Sequence, residues 1–282
     1  MQPVFRFAPS PNGHLHLGHA FSALLNARMA EETGGRFLLR IEDIDTIRCT
    51  DKLVADCLED LAWLGLAWEE PVLRQSTQFA RYRAAADDLV AYGLAFPCFC
   101  TRGDIRQAAG DTPPHDPDGA ILYPGTCRPL SPEVAAARIR AGEAHALRLD
   151  SRAAIARLAH PLRWQETGEG ALRDIPADPA IWGDVVLIRK DIPASYHLAV
   201  VLDDALQGVT QVVRGRDLHA ATAIHRLLQA ILGLPAPVYH HHALILDEEG
   251  RKLSKSALST PLRQLRAEGM TAMEIRRRLG FA

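Results

Sequence analysis

The chain is almost without lysine: of its 32 lysines and arginines, only Lys52, Lys190, Lys252 and Lys255 are lysine. Nor is there an excess of positive charge, the formal net charge being −2. A nucleic-acid partner would therefore have to meet a local basic patch rather than a globally basic surface. No apolar run reaches the ~18 residues at which a membrane span becomes a candidate. Residues 1–20 carry Pro9, Pro11, His14 and His16, a composition that excludes a signal peptide. The five cysteines, Cys49, Cys57, Cys98, Cys100 and Cys127, are odd in number and suit no disulfide framework. There is no Gly-x-x-x-x-Gly-Lys loop, which removes the P-loop ATPases, and no internal repeat. These absences lead to the expectation of a soluble, cytoplasmic protein away from membranes, and a monomer is expected.

With 282 residues and 48% hydrophobic content, the chain can bury a sizeable core. Residues 4–8 read as a buried strand ended by Pro9 and Pro11. A helix is expected over 19–32, stopped by Gly34-Gly35, and a strand over 37–41. Strand, helix and strand in about forty residues make a βαβ unit and predict a parallel sheet. Residues 51–66 and 78–93 read as amphipathic helices closed by Gly65 and Gly93. Residues 102–132 hold six prolines and four glycines and read as an irregular insertion. Strands are expected over 184–189, 198–202, 209–213 and 243–246, a helix over 222–232, and two small helices at the end. The predicted fold class is α/β, a Rossmann-type parallel sheet in two halves (1–95 and 184–238), an insertion (96–183) and a C-terminal segment with a short helical tail (239–282).

Two motifs carry chemistry. Arg6-Phe7-Ala8-Pro9-Ser10, followed by His16-Leu17-Gly18-His19, lies where the first strand gives way to the first helix. In an open parallel sheet that edge binds ligands, and helix amides there meet phosphates. His16 and His19 can donate to phosphate oxygens, and Gly18 leaves room for a flat base. Lys252-Leu253-Ser254-Lys255-Ser256 places two of the four lysines together, as suits charge developing on a phosphoryl group. Each motif alone also reads as ordinary surface. Tyr239-His240-His241-His242 looks like a metal tract, but alternate side chains of an extended segment point apart and cannot share one ion.

Together the two motifs resemble the signatures of class I aminoacyl-tRNA synthetases. Arg40-Ile41-Glu42-Asp43, Tyr196-His197-Leu198-Ala199, Asp203-Asp204 and Val213-Arg214-Gly215-Arg216-Asp217 extend the resemblance to the glutamyl-tRNA synthetase core over nearly all of residues 3–260. Glutaminyl enzymes usually carry glutamate where this chain has Ser10. The resemblance implies catalytic His16, His19, Lys252 and Lys255, ATP bound at His16, Gly18, His19 and Lys255, and Mg²⁺ as a cofactor. It implies a glutamate site of Arg6, Phe7, Ala8, Pro9, Ser10, Glu42, Tyr196 and Arg214. Arginine suits this task because its fork matches a carboxylate, while Glu42 would accept from the α-ammonium. The residues by themselves also allow a surface Arg40–Glu42 ion pair and a core Tyr196.

Cys98-Phe99-Cys100 and, after a loop, Cys127 suit a structural Zn²⁺ that pins the insertion. The resemblance supplies Tyr123 as fourth ligand, and His115 is the conventional alternative. Only 26 residues follow Ser256. With the zinc-type insertion, that brevity resembles the glutamyl-queuosine tRNA(Asp) synthetases, which implies tRNA(Asp) containing queuosine and L-glutamate as partners. A short glutamyl-tRNA synthetase, a ligase acting on a small-molecule amine and a non-catalytic RNA-binding relative are the alternatives.

Overall fold

A computed structural model describes residues 2–245 and 260–281. In chain order the first half comprises β1 (Val4–Phe7), α1 (Leu17–Glu32), β2 (Arg36–Ile41), α2 (Asp51–Trp63), β3 (Glu69–Arg74) and α3 (Phe79–Ala91). There follow β4 (Ala95–Cys98), α4 (Arg102–Ala109), α5 (Pro132–Arg140), β5 (Ala146–Leu149), α6 (Ser151–Ala156), β6 (Arg163–Glu166) and β7 (Arg173–Pro176). The second half holds β8 (Val186–Ile188), α7 (Tyr196–Leu206), β9 (Gln211–Gly215), α8 (Ala221–Ile231) and β10 (Val238–His242), before the terminal α9 (Leu262–Ala267) and α10 (Ala272–Arg278).

Seven strands form the main sheet in the order β3-β2-β1-β9-β10-β6-β7. All its pairings are parallel except β6–β7. This is the α/β architecture expected from the βαβ start. One apolar core joins α1, α2, β1 and β2 to α9 and α10 through Leu262, Leu265, Ile275 and Phe281. A second packs α3, α7 and α8 beside the small antiparallel sheet β4-β5-β8. Residues 96–183 feed both sheets: β5 enters the small one, while the β6–β7 hairpin extends the main one beyond β10.

Three local expectations are corrected. Residues 198–202 are helical, inside α7, where Ser195 caps the helix by accepting from the Leu198 amide. Residues 198–204 are buried on every side, so the apolar run has no period to separate helix from strand. The strand expected over 243–246 is instead β10, made of the histidine tract itself, and Leu246 lies outside the described residues. The irregular stretch begins with a helix, α4, because Thr101 and Asp104 form a reciprocal cap. No helix among the described residues is long and apolar enough to cross a membrane.

Candidate active site

A cavity of about 390 Å³ opens at the carboxyl edge of the main sheet, between β1 and β9. Arg6, Phe7, Ala8, Pro9, Ser10, His16, Gly18, His19, Glu42, Tyr196 and Arg214 line it. The sheet thus brings together every site residue expected for the amino acid and the nucleotide except Lys252 and Lys255, which lie outside the described residues. Ser22, Asp217 and His242 line it as well, unannounced by the sequence reading.

The two histidines cap α1. The His16 Nδ1 accepts from the Gly18 amide at 3.1 Å, and the His19 Nδ1 accepts from the His16 amide at 3.2 Å. Both rings spend Nδ1 as an acceptor, so in the neutral form each carries its proton on Nε2 as a donor. Local backbone geometry therefore fixes the tautomers that a phosphate would need. A Cβ on Gly18 would stand 3.0 Å from the His16 ring, so a larger residue there would press on that ring.

On the β1–β2 side the charges are balanced. Asp204, on α7, accepts from Arg6 Nε at 3.0 Å and from Arg40 Nη1 at 2.8 Å. Arg40 is fully buried and reaches Glu42 at 3.4 Å, so the pair is interior rather than superficial. Burial works against the Asp204 charge, but Arg6 and Arg40 outweigh it and hold its carboxyl below the usual range. Burial pushes the Glu42 carboxyl up, against the pull of Arg40 and Arg6. Among the described residues no acceptor takes the Arg6 Nη2 hydrogens, and this guanidinium lines the cavity.

The β9 side differs. Arg214 is 5% exposed and has no carboxylate within ion-pair distance among the described residues. Its Nε donates to His241 Nε2 at 3.1 Å. Nη1 donates to His225 Nδ1 at 3.2 Å and to the Tyr196 hydroxyl at 3.4 Å. Nη2 donates to Thr222 at 2.8 Å and to the Leu218 carbonyl at 3.1 Å. All five donors thus go to neutral groups. Burial, helped by the Arg214 charge, lowers His225 well below the ordinary imidazole range, and His197 behind it to about 4. Arg214 is held by hydrogen bonds while its charge is left uncompensated beside a cavity.

In the insertion, the Cys98, Cys100 and Cys127 sulfurs lie within 4.8 Å of one another. Cys100 and Cys127 are 3.5 Å apart, and the Tyr123 hydroxyl is 3.6 Å from the Cys100 sulfur. Sulfurs sharing a tetrahedral zinc would sit ~3.8 Å apart, so this donor set fits such an ion. His115 is exposed and belongs to the bridge His115–Ile121, away from the group. The histidine tract does not converge. His240 meets Thr167, His241 meets Glu166 and Arg214, and His242 reaches the Ala243 carbonyl. Glu166, His219 and His241 do approach one another, but both His241 nitrogens are already engaged.

Glu166, His241, Asp204 and His225 were given no role by the sequence reading. Asp203-Asp204 stood in a recognised segment, but nothing local says that Asp204 reaches across to two arginines on other strands.

A family model described as tRNA synthetases class I (E and Q), catalytic domain, matches residues 4–281. A glutamyl-Q tRNA(Asp) synthetase of Rhodobacter capsulatus is 49% identical over 99% of this chain and 100% of its own length. Its counterpart in Nocardia farcinica is 45% identical over 89% of this chain and 75% of its own. Among solved structures, a glutamate tRNA ligase of Elizabethkingia meningosepticum in complex with its amino acid superposes with a TM-score of 0.72 at 27% identity. That match covers 96% of this chain and 54% of the ligase, so the chain spans about half of the larger protein. The chain belongs to the class I tRNA synthetases for glutamate and glutamine, and within them to the glutamyl-Q tRNA(Asp) synthetases.

Proposed function

We propose that the chain activates L-glutamate with ATP, supplied as its Mg²⁺ complex, and transfers the glutamyl group to the queuosine wobble nucleoside of tRNA(Asp). The observation that carries the amino-acid half is Arg214, a buried cation beside the cavity with neutral partners only. A charge so placed favours an anionic substrate group. The Tyr196 bond, the longest of the five at 3.4 Å, is the one a substrate carboxylate would replace or share. Glu42, with Arg40 behind it, is the acceptor for the α-ammonium.

In the first step an α-carboxylate oxygen attacks the α-phosphorus of ATP. A new O–P bond forms, the bond to the β-phosphate oxygen breaks, and pyrophosphate leaves. His16 and His19, with Nε2 protonated, and the α1 amides stabilise the phosphate charge. Lys252 and Lys255 are assigned to the same task from the sequence alone. In the second step an acceptor hydroxyl attacks the acyl carbon, an ester forms, and AMP departs while the hydroxyl proton is released. The cyclopentene cis-diol of queuosine offers the same kind of hydroxyl as a terminal ribose. The name of a relative matched along its whole length supports this acceptor. Cys98, Cys100, Cys127 and Tyr123 would hold a structural zinc that stiffens a segment with little core of its own.

The test supplies labelled glutamate and ATP with tRNA from cells that make queuosine and from cells that do not. Label should enter only the modified tRNA, and mass spectrometry should find glutamate on the wobble nucleoside. Label on the terminal adenosine, or equal labelling of both tRNAs, would mean a short glutamyl-tRNA synthetase instead.

A further inference from the structure

Glu166 lies on β6, in the hairpin that the insertion contributes to the main sheet, and is 2% exposed. No arginine or lysine pairs with it among the described residues. Its carboxylate instead accepts four hydrogen bonds, which fills the lone-pair positions such a group offers. Oε1 takes the amides of Gly168 and His241, each at 2.9 Å. Oε2 takes the Trp164 indole at 3.2 Å and His241 Nδ1 at 2.6 Å. Gly168 is required for this approach, because a Cβ there would collide with the His241 carbonyl.

The bond from His241 Nδ1 has a consequence at the other side of the ring. With its proton committed to Glu166, the neutral imidazole presents a bare lone pair at Nε2, and that nitrogen accepts from Arg214 Nε at 3.1 Å. The opposite tautomer would set an N–H against an N–H and turn the guanidinium away. A cation at this ring would add a second positive charge beside Arg214. Glu166 therefore lies one imidazole away from the guanidinium. It is close enough to dictate what Arg214 touches and too far to neutralise it by contact.

We propose that Glu166, acting through His241, is the positioning residue that fixes Arg214 and so sets the discrimination between a carboxylate and an amide in the substrate side chain. The inference rests on the reading of this cavity as a glutamate site. A rival role is mechanical, since the same carboxylate staples the end of β6 to β10 through the His241 amide.

Glutamate- and glutamine-dependent ATP–pyrophosphate exchange separates the two roles. In Glu166→Gln the amide oxygen can keep the two backbone bonds, while the amide nitrogen faces His241 Nδ1 and imposes the wrong tautomer. Losing a hydrogen bond to a charged group costs roughly 1.5–3 kcal/mol, or about 10- to 150-fold. The preference for glutamate over glutamine should fall by that factor, with the KM for ATP changed less than about twofold. His241→Leu, which offers Arg214 no acceptor, should lose as much. His241→Gln, whose amide oxygen accepts without needing Glu166 to set a tautomer, should recover most of it. In the His241→Gln background, Glu166→Gln should then cost little further selectivity. Unchanged preference in Glu166→Gln or His241→Leu overturns the proposal. So does an undiminished effect of Glu166→Gln in the His241→Gln background, which is what a staple alone predicts. If the wild type gives no glutamate-dependent exchange at all, the glutamate reading fails, and this inference fails with it.

Discussion

The two sides of the cavity treat their arginines in opposite ways. On the β1–β2 side, Arg6 and Arg40 share Asp204, and Glu42 adds a second carboxylate. On the β9 side, Arg214 has five neutral hydrogen-bond partners and no carboxylate in contact among the described residues. A balanced cluster suits the zwitterionic backbone of any amino acid. An unbalanced cation suits one additional negative charge. The comparison teaches that a side-chain carboxylate can be selected by what the protein withholds, not only by what it supplies.

The largest expected effect comes from removing the unbalanced charge. Arg214→Gln should lower kcat/KM for glutamate by roughly 30- to 5,000-fold, since losing one partner of a buried charged contact costs about 2–5 kcal/mol. Arg6→Gln should weaken glutamate and glutamine more evenly, because Asp204 already balances Arg6. Steady-state exchange with both amino acids measures the contrast, and equal losses of preference in the two variants would erase it.

Stability should respond in the other direction. Asp204→Asn leaves two buried arginines without their shared carboxylate, and breaking such a pair costs about 3–5 kcal/mol. Urea unfolding should show a loss near that size, and a loss under about 1 kcal/mol would mean that the arginines find other compensation.

A smaller effect is pH-dependent. Burial opposes the Glu166 charge, but the His241 ring and backbone outweigh it and bring its pKa to about 2. Burial lowers His241 to about 4, so near neutral pH the pair is a carboxylate and a neutral ring. A depressed carboxyl stabilises the fold fully above its unfolded pKa of about 4.3, and that contribution is lost as pH falls towards 2. Glu166→Gln should therefore flatten the dependence of melting temperature on pH between about 4.5 and 2. An unaltered slope in that interval would place the acid sensitivity elsewhere.

The smallest effect on selectivity is expected far from either arginine. Cys127→Ser should cost the protein its zinc, measured by metal analysis of untagged protein, and lower its melting temperature. The preference for glutamate over glutamine should stay within about twofold. Full zinc content in this variant would rule out the ligand set.

Much of the balanced side was legible in the sequence, because Pro9, Pro11, Gly34 and Gly35 punctuate a βαβ unit whose register is hard to mistake. The segment His16-Leu17-Gly18-His19 likewise announced residues that line the cavity. The unbalanced side was only partly legible. Arg214 could be named, but its setting depends on Glu166 and His241, which are distant in sequence and meet through one short strand pairing. β6 and β7 are four residues each, with one large apolar side chain apiece and no apolar alternation to reveal them. Residues 198–202 were misread for the opposite reason: an apolar run buried on all faces has no period. The three cysteines and Tyr123 were legible as a group, and folding adds their mutual distances.

The role proposed for Arg214, a buried cation with no carboxylate in contact among the described residues, is to make this a site for a side-chain carboxylate. The most direct measurement is ATP–pyrophosphate exchange by the wild-type protein with glutamate and with glutamine, run with and without tRNA. Glutamate should support exchange at least about 100-fold better in kcat/KM, because the amide leaves a buried charge unanswered. Comparable exchange with glutamine would mean that Arg214 does not select a side-chain carboxylate.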